Sequence, residues 1–160
     1  MAIVAVHAVY LVGWAGWLEW GRATATTIRL DLVQRDPRDL LRGDYITLAF
    51  DISTIPPTML GGARPGDRVW VVLAPGGDAW HAIAAATRPV AVAPGQRLIV
   101  GTVGWANPLR GINVAYGIER YYVPEGRGTP PRGRIQADVA LARDGRAQVV
   151  GVLVDGRPYP

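Results

Sequence analysis

Three carboxylates stand where acid–base chemistry could use them: Asp44 between Gly43 and Tyr45, and Glu119 and Glu125 at the two ends of Glu-Arg-Tyr-Tyr-Val-Pro-Glu. Two such groups straddling a bond, about 5–9.5 Å apart, would make a hydrolase of the carboxylate-pair kind. The sequence sets no separation between them and supplies no apolar pocket that would raise one pKa. Nucleophilic catalysis has less to draw on. There is one serine, Ser53, and one histidine beyond the N-terminal run, His81. Ser53 precedes Ile55-Pro56-Pro57 and reads as a strand exit. All 17 basic residues are arginine and cysteine is absent, which excludes thiol chemistry, thiolate metal sites and Schiff-base lysines. Asp31, Asp36, Asp39, Asp44 and Asp51 match no calcium-loop spacing and read as turn and capping residues. No metal and no cofactor is expected.

The alternative to catalysis is recognition. Tyr116 to Gly126 holds three tyrosines, two glutamates and an arginine within eleven residues. That density suits tyrosines covering a sheet face with Glu119 paired to an arginine, and equally a polar groove for a peptide or ligand. Combined with the other dense segment, Asp36 to Phe50, it nominates a ligand or partner surface of Asp44, Tyr45, Glu119, Arg120, Tyr121 and Glu125. Charged and aromatic residues gather there without a nucleophile or a ligand set. The leading expectation is therefore a non-enzymatic binding module, and the carboxylate-pair hydrolase is the alternative. The net charge of +4 is scattered, with no arginine cluster to mark a nucleic-acid face.

Such a surface needs a scaffold, and the pattern predicts strands. Thr24 to Gln34 alternates, with Ile28, Leu30 and Leu32 facing one way and Arg29, Asp31 and Val33 the other. Asp36-Pro37-Arg38-Asp39 reads as the capped start of one helical turn that Gly43 closes. A strand from Tyr45 to Ile52 follows, Tyr45, Thr47, Ala49 and Asp51 alternating against Ile46, Leu48, Phe50 and Ile52. In the second segment Ile118, Arg120 and Tyr122 would share one strand face. Arg64-Pro-Gly-Asp67 and Ala93-Pro-Gly-Gln96 are glycine-containing turns, each feeding a strand. Gly76-Gly77-Asp78 and Asp144-Gly145 predict hairpins, the second between strands 135–142 and 147–154. About eight short strands with frequent turns predict a mainly β fold: an antiparallel sandwich or small barrel. At 160 residues this is one domain, residues 24–160, behind an N-terminal segment.

That segment, residues 1–20, is expected to be a membrane anchor. Residues 1–18 carry no Asp, Glu or Arg and would cover about 27 Å as a helix, just enough for a hydrocarbon core. Trp14, Trp17 and Trp20 would share one face at the interface. Ala23-Thr24-Ala25 resembles a signal-cleavage site, but Glu19, Trp20 and Arg22 crowd the region before it. Arg22, Arg29, Arg35 and Arg38 follow the span and would favour a cytoplasmic domain, although folded domains of this length translocate despite such charges.

Gly43-Asp44-Tyr45-Ile46-Thr47-Leu48-Ala49-Phe50, preceded by Asp36-Pro37-Arg38-Asp39-Leu40, resembles the bacterial family named for its GDYXXLXY motif. Tyr116 to Gly126 is similar to that family's second signature. The resemblance implies an N-terminal membrane anchor, a domain outside the cytoplasm in the periplasmic space, and association with a polytopic membrane protein. It brings no catalytic residue with it. Phe50 stands in place of the motif's last tyrosine, so a hydroxyl there is not essential in this chain. Residues 127–133 are too rich in proline and glycine for a regular helix after Glu125. The lack of a basic residue before the apolar run points to an unusual anchor or a start assigned downstream of the true one.

Overall fold

A computed structural model describes residues 6–7, 9–14, 25–33, 45–107, 109–122 and 133–159. The strands are β1 (Thr26–Asp31), β2 (Tyr45–Thr47), β3 (Thr54–Ile55), β4 (Arg68–Gly76), β5 (Ala79–Ala86), β6 (Arg97–Asn107), β7 (Gly111–Ala115), β8 (Arg120–Tyr122), β9 (Ile135–Leu141), β10 (Ala147–Val154) and β11 (Arg157–Tyr159). The described chain is mainly β, as the alternation predicts. The sandwich or barrel is replaced by one open mixed sheet, ordered β11-β10-β9-β1-β5-β4-β6-β7-β3, with β2 and β8 as a separate two-stranded ribbon. Alternation specifies which face a residue occupies and says nothing of which strand lies beside it. Here β1 enters between β9 and β5 and runs parallel to β5, a pairing that no local pattern encodes.

Local chemistry accounts for most of the strands. In β1, Ile28 and Leu30 are buried while Arg29 and Asp31 are half-exposed, so the predicted faces hold. The turns Arg64–Asp67 and Ala93–Gln96 share one design. Proline and a positive-φ glycine (Gly66, Gly95) occupy the centre, and the fourth residue's N–H bonds the first residue's carbonyl. The fourth side chain then accepts the first residue's N–H, Asp67 from Arg64 at 2.8 Å and Gln96 from Ala93 at 2.9 Å. Each turn releases the chain into a strand, β4 or β6. Both predicted hairpins form: Gly77 and Asp78 join β4 to β5, and Ala142–Arg146 joins β9 to β10. A third, Asp155-Gly156 between β10 and β11, was equally legible from its Asp-Gly pair and was not anticipated.

Three bulges interrupt the ladders, placing Ile83, Gly104 and Val150 as extra residues. Ile83 and Val150 are exposed hydrophobics for this reason, since a bulge re-aims a side chain away from the face its neighbours use. Bulges also add twist, and the sheet coils on itself. The Val100 N–H reaches the Gly145 carbonyl at 2.9 Å, although four strands separate β6 from β10 in the sheet order. On the other side, Leu32 bridges Phe50 and the Val33 N–H bonds the Ala49 carbonyl at 2.7 Å. One apolar core fills the inside, built on Ile28, Leu30, Val69, Val71, Leu73, Ile99, Val103, Val139 and Val152 among others.

Two expected strands are shorter than predicted. The Tyr45–Ile52 strand stops at Thr47, and Asp51–Ser53 is a 3-10 turn. Among its described residues, 116–122, the Tyr116–Gly126 segment is strand only from Arg120 to Tyr122. The capped turn from Asp36 to Gly43, residues 127–132, Trp17 and Trp20 lie outside the described residues. At the N-terminus, residues 6–7 and 9–14 are helical. Val6, Val9, Tyr10, Leu11, Val12 and Trp14 are exposed, and none of the described residues of this run belongs to the core. Among the described residues no helix is long and apolar enough to cross a membrane.

Candidate functional site

The two dense segments are partners. Strands β2 and β8 pair antiparallel, Tyr45 opposite Tyr122, Ile46 opposite Tyr121 and Thr47 opposite Arg120. The Leu48 N–H extends the ladder by bonding the Glu119 carbonyl at 2.7 Å. Beyond the ribbon, Leu48, Phe50 and Ile52 point into the core while Thr47 and Asp51 are exposed, which keeps the predicted alternation even where regular strand stops.

A second link lies deeper. Gly117, at positive φ, turns the chain so that the Glu119 carboxylate accepts the Tyr116 backbone N–H. The Tyr116 ring is buried, and its hydroxyl donates to the Ile52 carbonyl at 2.7 Å. Burial, and then the nearby Glu119 charge, push the Tyr116 phenol well above its ordinary range, so it stays a neutral donor. Ile52 ends the stretch that begins with the first motif, so this bond ties the two motif segments together a second time. Tyr116→Phe leaves that carbonyl without its donor, and we expect a loss of about 1–2 kcal/mol of stability in urea unfolding.

The predicted surface residues fall into distinct roles. Glu119 is committed to the turn, Tyr121 is half-buried against the core, and Arg120 is exposed beside it. Tyr45 contributes its backbone to β2. Asp44 and Glu125 lie outside the described residues, so Glu119 is the one described member of the carboxylate set. The Ser53 hydroxyl is buried without a hydrogen-bond partner, which places no histidine on it and removes the Ser53–His81 pairing. Among the described residues no group of three or more histidines and carboxylates could hold a metal ion.

A polar cluster that the sequence reading did not single out occupies the outer face of β9, β1 and the β4–β5 turn. Arg29 and Asp138, directly opposite in the β1–β9 register, form a two-bond ion pair at 2.8 and 3.1 Å. The Arg134 guanidinium binds Asp31 at 3.0 and 2.8 Å and also both oxygens of Asp78. Gln136, buried, donates to Asp31 at 3.1 Å. The available signal was the period-two run Arg134, Gln136, Asp138 alternating with Ile135, Ala137, Val139. The hydrogen bond from Arg134 holds the Asp78 carboxyl below its usual range, and the bond to Asp138 raises Arg29. A carboxylate lowered in the folded state contributes stability above its unfolded pKa and loses it as pH falls through the folded value. Arg134→Gln is therefore expected to lower the urea midpoint at neutral pH. That deficit should begin to shrink in a pH series below about 4 and vanish only once pH has fallen through the lowered folded value of Asp78.

Other arginines have apolar duties, Arg68 over the Trp70 ring at 5.5 Å and Arg97 over Trp80 at 5.9 Å. Comparison with known proteins adds one finding. A family model described as GDYXXLXY protein matches residues 8–152. No curated protein and no solved structure matches the chain.

Proposed function

The chain belongs to the GDYXXLXY family, and on that footing we propose that it is a membrane-anchored β domain that binds or assists a partner in the cell envelope. Residues 1–20 form the anchor, the domain lies outside the cytoplasm, and the partner is a polytopic membrane protein or an envelope component. The observation that supports this reading most is the pairing of the two motif segments in one ribbon. It gathers Tyr45, Glu119, Arg120 and Tyr121 at a single place, with the Tyr122 side chain 73% exposed beside them. Asp44 and Glu125 adjoin the same two segments in sequence and complete the proposed surface. A reaction is not part of this reading: Glu119 is bound to its own turn, and nothing favours the carboxylate-pair hydrolase over recognition.

The absence of native cysteine makes the test clean. A photoreactive group placed at Arg120 in the full chain, in its own membranes, should crosslink to a membrane or envelope protein, while one placed at Thr102 should not. Equal yields at the two positions would remove the surface. Release of the chain by alkaline carbonate would remove the anchor. Labelling of Thr102→Cys only after lysis would put the domain on the cytoplasmic side.

A further inference from the structure

The nine-stranded sheet is joined unevenly. β1 pairs with β9 over six consecutive positions and β4 with β5 over seven, yet β1 meets β5 at Leu30 and Trp80 alone. That junction is also the parallel one, the weaker kind per residue. It divides the sheet into two blocks, β11-β10-β9-β1 and β5-β4-β6-β7-β3, each held by antiparallel ladders of two or more paired positions.

We infer that the β1/β5 junction is an opening seam and that Arg134 is the clasp that holds it shut. Arg134 belongs to the first block, where its N–H bonds the Asp155 carboxylate at 2.8 Å and its carbonyl accepts the Asp155 N–H at 2.9 Å. One edge of its guanidinium grips Asp31, the last residue of β1. The other grips Asp78, in the turn of the second block. The planar fork makes both two-oxygen contacts at once, which an ammonium group has no geometry to do. The Arg134 side chain is 52% exposed, so water competes for every one of these bonds and the clasp is releasable. Gln136 of the first block also hydrogen-bonds Asp78 beside the clasp, while the links Leu32 to Phe50, Val33 to Ala49 and Val100 to Gly145 lie outside the β1/β5 pairing and act as hinges when it parts. Local opening of this sort takes the least-paired joint first.

Hydrogen exchange on the full chain, read by mass spectrometry at neutral pH, tests the clasp. In Arg134→Gln the amides of residues 79–82 and of Asp31 should exchange about three- to tenfold faster, with those of 69–73 in β4 and of Leu32, which bonds the Ile135 carbonyl within the first block, unchanged. Arg134→Lys should fall between the variant and the wild type. Asp78→Asn, which removes one arm at an exposed turn, should reproduce the pattern if Arg134→Gln fails to fold. Unchanged exchange at the seam, or equal acceleration in β4, would overturn the inference.

Discussion

Replacing Phe50 with alanine should cost about 3–5 kcal/mol, the largest single loss expected in this molecule. The ring is 2% exposed and sits between Leu48 and Ile52, both equally enclosed. Its residue also bridges Leu32, where the end of β1 meets the chain entering β3. Truncation would empty a volume that two separate segments enclose, and neither can collapse into it without breaking that bridge. For a chain of this size the loss corresponds to a melting temperature lower by about 2–4 °C for every kcal/mol. A shift within about 1 kcal/mol would mean that the site relaxes freely and that Phe50 is not a keystone. The burial also explains why phenylalanine serves where the family motif has tyrosine: the position works through packing.

Gly101→Ala should destabilise by about 3 kcal/mol, through crowding instead of a cavity. Gly101 lies in β6 under the Tyr116 ring. An added Cβ would stand 2.5 Å from Val114 Cγ1, 2.8 Å from the Ala115 carbonyl oxygen and 2.9 Å from Tyr116 Cδ1. A flexible side chain yields cheaply, but the ladder carbonyl is fixed and the ring can move only by giving up its hydroxyl bond to Ile52. We expect the Tyr116 ring to be displaced, so thermal unfolding of Gly101→Ala with Tyr116→Phe should show less than the sum of the two losses. Strict additivity would place the strain elsewhere.

Both effects converge on one part of the molecule. The first motif supplies Leu48 and Phe50 to the core and leads into the 3-10 turn that holds Ile52. The second supplies Tyr116 to bind Ile52, the Glu119 carbonyl to bind Leu48, and Tyr121 to pair with Ile46. The apolar members of the two motifs thus hold the fold together, while Arg120 and Tyr122 are exposed and belong to the surface proposed to meet a partner. Substitutions at these two classes of position separate recognition from folding. Only the first class should move the unfolding midpoint, and only the second should change crosslinking.

The amino-acid sequence by itself determined the elements whose causes are local. Alternation in Ile28-Arg29-Leu30-Asp31 assigned β1 its faces, the two Pro-Gly turns placed the starts of β4 and β6, and Asp144-Gly145 set a hairpin. These needed only side-chain periodicity and the backbone preferences of glycine and proline. Tertiary structure decided what depends on distant chain. The 3-10 turn that follows β2 carries the Ile52 carbonyl to the hydroxyl of Tyr116, some 64 residues further on, a contact no local pattern announces. The parallel insertion of β1 beside β5, and the meeting of Arg134 with Asp31 and Asp78, likewise join residues far apart in sequence. A strand's pattern declares which face is apolar but leaves its neighbours open, and the choice among them falls to packing of the whole core.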